Sequence, residues 1–258
     1  MNNDTDTTHP HITRRASRVH LIQTWGADMS AVDAARVSVR ADLPPAPLSL
    51  RGDQARLIYE PRAQATNPAD RRLLHYLIEH GHTSTLEHAG ATFHIEAPLF
   101  VARQIMRHRT LSFNEMSRRY TSDGLQVWTP GAGDLRAQHA RRLQCSTGEP
   151  IEDTDRAEEL AARVEAHHAS TLALYEELIA AGVAREVARA VLPVATLTRC
   201  WLSGNLLNLI KMIRLRTDEH AQPETAAVAR VMRDALAPYF PATLTAAGLI
   251  EGEGGGAL

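Results

Sequence analysis

Residues 88–120, HAGATFHIEAPLFVARQIMRHRTLSFNEMSRRY, decide how this chain folds. In the first third Ala91, Phe93 and Ile95 alternate along one face, the two-residue period of a strand, and Pro98 closes it. The same proline opens a helix, PLFVARQIMRHR, in which Leu99, Ala102, Ile105 and Met106 form an apolar stripe. At about 100° per residue, Arg103, Gln104, Arg107 and His108 fall on the other arc, so a group of hydrogen-bond donors leaves this helix together.

Working outward, residues 18–25, RVHLIQTW, read as a strand, and SAVDAARVSV after it as a short helix with Ser30 as N-cap. A Pro-rich connection, ADLPPAPLSLRG, follows. Asn67 before Pro68 is a helix start, and RRLLHYLIEHG keeps helical spacing until Gly81 ends it. Residues 155–181 form a long amphipathic helix ended by Gly182, and REVARAVLP a short one stopped by Pro193. Residues 205–216 are helical again, with Leu206, Leu209, Ile210 and Ile213 inward and Asn205, Met212 and Arg216 along one edge. Between these, residues 122–153 are Gly- and Pro-marked and aperiodic, which predicts a variable surface excursion. The polar residues 1–17 read as a disordered tail and residues 241–258, ending in EGEGGGAL, as a second tail, leaving one domain over 18–240.

A chain of 258 residues with 44% hydrophobic content can bury one sizeable core. Lys and Arg total 28 against 30 Asp and Glu, so no basic excess announces a nucleic-acid or anionic-membrane partner. Only 5% of residues are aromatic, too few for a base-stacking platform. No apolar run is long enough to span a bilayer and no signal-peptide stretch opens the chain, so the expected location is the cytoplasm. Two cysteines, Cys145 and Cys200, cannot build a disulfide framework or a thiolate zinc site. The excess lies in histidine, with 13.

Two constellations carry chemistry. Residues 107–120 hold four arginines, a His, an Asn, a Glu and two serines. Arginine forks bind phosphate oxygens, while Asn, Ser and Gln recognise a base or a flavin ring. The same composition also describes a solvated cationic helix end that favours the helix dipole, and composition leaves both readings open. His75, His80, His82, His88 and His94 are the second. Their spacing fits no common metal site and lacks Cys support, so no metal is expected. Backbone-bonded structural histidines remain one account of them and a cofactor-side loop the other.

The segment Arg107-His108-Arg109, seven residues, then Ser117 resembles the signature of the flavin-dependent thymidylate synthases, the ThyX family. The likeness extends through AARVS at 34–38, HGHTSTLEH at 80–88, TFHIEAPLFVARQIMRHR at 92–109, EVARAVLP at 186–193 and RLRTDEHAQPE at 214–224. It implies an α+β fold, a mainly antiparallel sheet wrapped by helices, assembled as a homotetramer with active sites at subunit interfaces. It further implies conversion of deoxyuridine monophosphate (dUMP) to deoxythymidine monophosphate (dTMP). Methylenetetrahydrofolate gives the carbon, and FAD the hydride after reduction by NADPH.

By the same resemblance Arg216 stabilises the uracil anion, a task for a group that stays charged and is a poor base. Its other account is a helix-end cation. Gln104, Arg107, Glu115, Met116, Ser117, Arg118, Arg119 and Arg189 contact the nucleotide with it. Arg107, His108, Arg109 and Glu115 are implied in flavin contacts, with Ser84 from a neighbouring subunit, and His82 beside flavin and folate. Glu87 and His88 brace that loop, and Ser38 lies near the cofactor. Ser117 reads as a binding residue, because its arginine neighbours cannot deprotonate it.

One position departs from the pattern. The family's helix reads Asn-x-Arg where this chain has Asn205-Leu206-Leu207, so the expected Arg is missing. Asn205 stays a cofactor contact, and Lys211, one turn along, is the replacement cation. Leu207 keeps open a flavin or nucleotide enzyme of altered substrate. A non-catalytic nucleic-acid binder is the third class, against which the near-neutral charge argues.

Overall fold

The computed structural model describes residues 9–37, 65 and 67–251. The Pro-rich connection and Ser38 lie outside the described residues. Strands are β1 (Ile12–Thr13), β2 (Arg18–Trp25), β3 (Gly90–Pro98), β4 (Ser112–Glu115), β5 (Val127–Trp128), β6 (Arg136–Gln138), β7 (Ser146–Pro150) and β8 (Leu197–Asn205). Helices are α1 (Asp28–Ala35), α2 (Pro68–Glu79), α3 (Leu99–Ile105), α4 (Thr154–Ala180), α5 (Arg185–Ala188), α6 (Leu206–Arg216), α7 (Pro223–Leu236) and α8 (Pro241–Ala246). Three short 3-10 turns complete the set, the first over Thr83–His88. The main sheet has the order β2-β3-β8-β4. Backbone bonds run from Leu206 to Ala89 at 2.7 Å and from Leu99 to Thr196 at 3.0 Å, so β3 and β8 advance in opposite directions. The α+β class with an antiparallel sheet stands.

Contacts divide the chain into two compact units, one of Met1–His20, His94–Leu202 and Leu215–Arg230, the other of Leu21–Phe93, Ser203–Arg214 and Val231–Leu258. In the first, Leu172 and Tyr175 of α4 bury against Leu125, Val127, Trp128 and Leu197. β1 pairs in parallel with β5, Ile12 beside Val127 and Thr13 beside Trp128. The expected tail boundary at residue 17 is therefore corrected, because Ile12 is buried and its strand is hydrogen-bonded. The excursion is corrected too. Its opening supplies Leu125, Val127 and Trp128 to the core, and β6 and β7 form an antiparallel hairpin further on. Two-residue strands carry no readable period, so composition alone hid them.

In the second unit Asn67 caps α2, its Oδ1 accepting from the Ala69 N–H at 2.8 Å, and Gly81 follows the helix at φ 72°. Helix α1 starts earlier than Ser30. Gly26, at φ 68°, turns the chain out of β2, and Ser30 Oγ instead accepts from the Ala27 N–H at 3.0 Å. The C-terminal tail is also corrected at its start. Buried Asp28 accepts from the N–H groups of Ala242 and Thr243 at 3.0 and 2.9 Å and from the Thr243 hydroxyl at 2.6 Å. A carboxylate placed there satisfies the orphan donors at the start of α8, whose Leu244 is fully buried. Gly90 is required by close approach, since a Cβ there would sit 2.3 Å from both the Gly204 carbonyl oxygen and Trp25 Cζ2.

Candidate active site

The cavity and the arginine cluster lie in the first unit, within residues 94–202 and 215–230. Helix α3 stops at Ile105, a turn sooner than its stripe suggests. Arg107, His108 and Arg109 therefore sit on a tight turn, with the His108 N–H on Ile105 and the Leu111 N–H on His108. The turn feeds edge strand β4, whose end, with the residues after it, walls a cavity of about 310 Å³. Glu115, Met116, Ser117 and Arg118 line one side of it and Arg189 another. Thr196 and Thr198, at the start of β8, line it too and were not singled out from the sequence. Thr198 donates to Glu115 Oε1 at 2.7 Å, and Met116 is pinned by its N–H to the Arg199 carbonyl at 2.8 Å.

Arg118 is held by main chain: it donates to the carbonyls of Asp123 at 2.8 Å and Gly124 at 3.2 Å. Its Nε is buried without a partner. Burial lowers its pKa most, nearby Tyr175 opposes that, and Arg199 lowers it further. Arg199 is itself neutralised by Glu96, Nε to Oε2 at 2.7 Å. Arg189 is exposed and has no ion-pair partner among the described residues, so a dianion entering the cavity meets an unspent charge. Arg119 is not among the residues lining the cavity and pairs with Glu186 at 3.4 Å.

A second group gathers around Arg216. Its Nε donates to His108 Nε2 at 3.1 Å and its Nη2 to the Gln104 carbonyl at 2.7 Å. His108 must therefore be unprotonated at Nε2, and burial, then the Arg216 charge, push its pKa below the usual imidazole value. Burial and then Arg107 lower the pKa of Arg216, which still stays charged at any working pH. Two of its five N–H donors are engaged, leaving the rest for a bound anion. Arg107 and Arg109 are exposed. Cys200 is buried and its pKa is pushed up to about 11, first by burial and then by Glu115, so it is a thiol at neutral pH.

The remaining expected residues belong to the second unit. His82 is exposed ahead of the Thr83–His88 turn, and Tyr76 stacks on His80 at 4.2 Å and lies 6.1 Å from His82. Ser84 is exposed on that turn. Asn205 caps α6, its Oδ1 accepting from the Asn208 N–H at 3.0 Å, and its Nδ2 reaches Glu87 at 3.5 Å. Leu207 is buried whereas Lys211 is exposed, so the lysine does not take up the space that Leu207 fills. Among the described residues no His, Cys, Asp or Glu cluster suits a metal ion, and no helix is long and apolar enough to cross a membrane.

Fold and cavity together define an α+β protein that gathers arginine, serine and carboxylate groups around a cavity at one edge of its sheet. The family described as "Thymidylate synthase complementing protein" matches residues 20–242. The flavin-dependent thymidylate synthase of Kosmotoga olearia is 34% identical over 88% of this chain and 89% of its own length. That of Thermotoga neapolitana is 36% identical over 84% and 85%. A crystal structure of the UMP/dUMP methylase PolB from Streptomyces cacaoi bound with 5-Br dUMP superposes with a TM-score of 0.73 at 30% identity, covering 92% of this chain and 96% of that one. The same methylase bound with 5-Br UMP gives a TM-score of 0.72 at 31% identity, covering 93% and 99%. The chain belongs to the flavin-dependent thymidylate synthase family.

Proposed function

We propose that this chain reductively methylates dUMP to dTMP, with methylenetetrahydrofolate as carbon donor, as a homotetramer in the cytoplasm whose sites lie at subunit interfaces. The observation that carries the reading is the gathering of Glu115, Met116, Ser117, Arg118 and Arg189 around one cavity. Arg118 and Arg189 bind the nucleotide's phosphate, and Ser117 adds a neutral donor. Arg216, already oriented by His108 and the Gln104 carbonyl, holds the negative charge that develops on the pyrimidine when carbon 5 becomes nucleophilic. Gln104 and Arg107 complete the nucleotide contacts, with Arg119 at the rim. Because these donors are ordered before substrate arrives, little reorganisation opposes the reaction.

The donor chemistry suits FAD. Arg107 and Arg109 are exposed and without ion-pair partners among the described residues, as a pyrophosphate requires. His108, Glu115, Ser84 and Asn205 offer the neutral or accepting groups that a heterocycle uses, Lys211 adds a cation, and His82 borders flavin and folate. Bound FAD, recharged by NADPH, supplies the reducing equivalents that complete the methyl group.

Purified protein should be yellow and should release tritium from carbon-5-labelled dUMP only with methylenetetrahydrofolate and NADPH present. Colourless protein that releases none overturns the reading. Likeness to a UMP/dUMP methylase makes UMP the competing substrate, and a higher kcat/KM on UMP would install that reading instead.

A further inference from the structure

Strands β4 and β8 lie side by side at the cavity edge, and the bond from the Met116 N–H to the Arg199 carbonyl at 2.8 Å fixes how they pass each other there. Across that junction the Thr198 hydroxyl donates to Glu115 Oε1 at 2.7 Å. Thr198 is buried at 5% exposure, and its strand is held one residue earlier by the bond from the Leu197 N–H to the Gln126 carbonyl at 2.8 Å. A branched side chain on such a strand has few rotamers open to it. The donor is therefore part of the sheet, and the backbone on both sides of the bond is fixed. Cys200, two residues on along the same buried face of β8, reports the same placement: its thiol pKa is pushed up to about 11 by burial and then by the Glu115 charge.

Glu115 shares the cavity with Arg118 and Arg189, yet among the described residues it forms an ion pair with neither. Unpaired cations and an unpaired carboxylate around one space match a ligand that is anionic at one end and donates a hydrogen bond elsewhere. Phosphate oxygens go to the arginines and are repelled by the carboxylate, which only accepts. Glu115 therefore takes a donor. In dUMP the uracil edge answers to Arg216, which leaves the hydroxyl at carbon 3′ of the sugar. We propose that Thr198 is a positioning residue that ties Glu115 to the sheet and presents its second oxygen to the 3′-hydroxyl of the nucleotide. The inference rests on dUMP binding in this cavity, as proposed above. It adds a specificity element, because a nucleotide without that hydroxyl leaves the tethered carboxylate unanswered.

The test compares, by calorimetry on the flavin-loaded enzyme, the affinities for dUMP and for 2′,3′-dideoxyuridine monophosphate, which lacks only the 3′-hydroxyl. The parent should prefer dUMP about tenfold, the effect of one hydrogen bond to a charged group. Thr198→Val keeps the branched shape and removes the donor. It should bring the two affinities within about twofold of each other and leave that for the analogue within about twofold of the parent's. Thr198→Ser retains the hydroxyl and should keep the preference within about threefold of the parental one. A parent that does not distinguish the two nucleotides, a Val variant that keeps the parental preference or weakens both alike, or a Ser variant as indifferent as the Val variant overturns the proposal. Glu115→Ala gives a readout that does not depend on how the Val variant folds. It should erase the preference as well, and a preserved preference removes Glu115 from the sugar and the tether with it. A parent that binds neither nucleotide overturns the dUMP reading itself, which sets that failure apart from failure of the tether.

Discussion

At the scale of single residues, the contact between Arg216 and His108 sets a proton requirement. Nε2 of His108 accepts from Arg216 and so must carry no proton. Its pKa lies below the usual imidazole value of 6.5, because burial and a neighbouring cation both disfavour the imidazolium. A group whose folded pKa is depressed supports the fold and the contact above its unfolded pKa, and that support is lost as pH falls through the folded value. The expected outcome is an acid limb in kcat/KM for dUMP below pH 6.5 that His108→Gln, whose amide oxygen still accepts, lacks. The same limb in the Gln variant would count against this assignment. His168, with Nδ1 on the Thr129 hydroxyl at 2.8 Å, is also lowered, by burial and then His167, so thermal stability should fall over the same acid range. Lys211→Ala, by contrast, should weaken flavin binding about three- to tenfold, as expected for one exposed cation near an anion. An unchanged flavin Kd would show that nothing replaces the absent arginine.

At the scale of elements, punctuation and period made α2, α4 and α6 legible. Asn67 and Gly81 bracket the first, Gly182 ends the second, and Leu206, Leu209, Ile210 and Ile213 stripe the third. Strand β8 was missed for a physical reason. Its burial does alternate, yet Thr198 points inward and Trp201 is 49% exposed, inverting the polarity by which a half-buried strand is read. It also runs into α6 with no residue between the two elements. Helix α8 was taken for a tail because the residue that holds its start, Asp28, lies 215 positions away. Asp28→Ala orphans the buried N–H and hydroxyl of Thr243 and the part-buried N–H of Ala242 and should cost about 2–4 kcal/mol, read as a lower midpoint in urea unfolding. A midpoint within error of the parent would deny the aspartate that role.

At the scale of the whole molecule, the cavity residues Glu115–Arg118 and Arg189 were legible only through a family signature, since no local period relates them. Thr198 left no signal, as its bond to Glu115 spans 83 positions. The near-neutral charge likewise hid local fields, with arginines at 107, 109 and 189 that have no ion-pair partner among the described residues offset by acidic stretches such as residues 149–160. Tyr120 at 80%, Val187 at 59% and Val194 at 55% exposure leave apolar surface near the cavity rim. The homotetramer proposed above on the family resemblance predicts a light-scattering mass about four times the 28.4 kDa chain mass, and a monomer at micromolar concentration would rule out a shared site.

The way Arg118 is gripped has a consequence for how such a chain can change over generations. The oxygens that orient it belong to the peptide units of Asp123 and Gly124, not to any side chain. Every amino acid carries that carbonyl. A substitution at position 123 thus leaves this bond in place and removes only the charge that raises the pKa of Arg118, while position 124, at φ 59° with the Arg199 guanidinium 3.2 Å from where a Cβ would sit, favours glycine. A loop can diverge in composition and still deliver the same instruction to the pocket it borders.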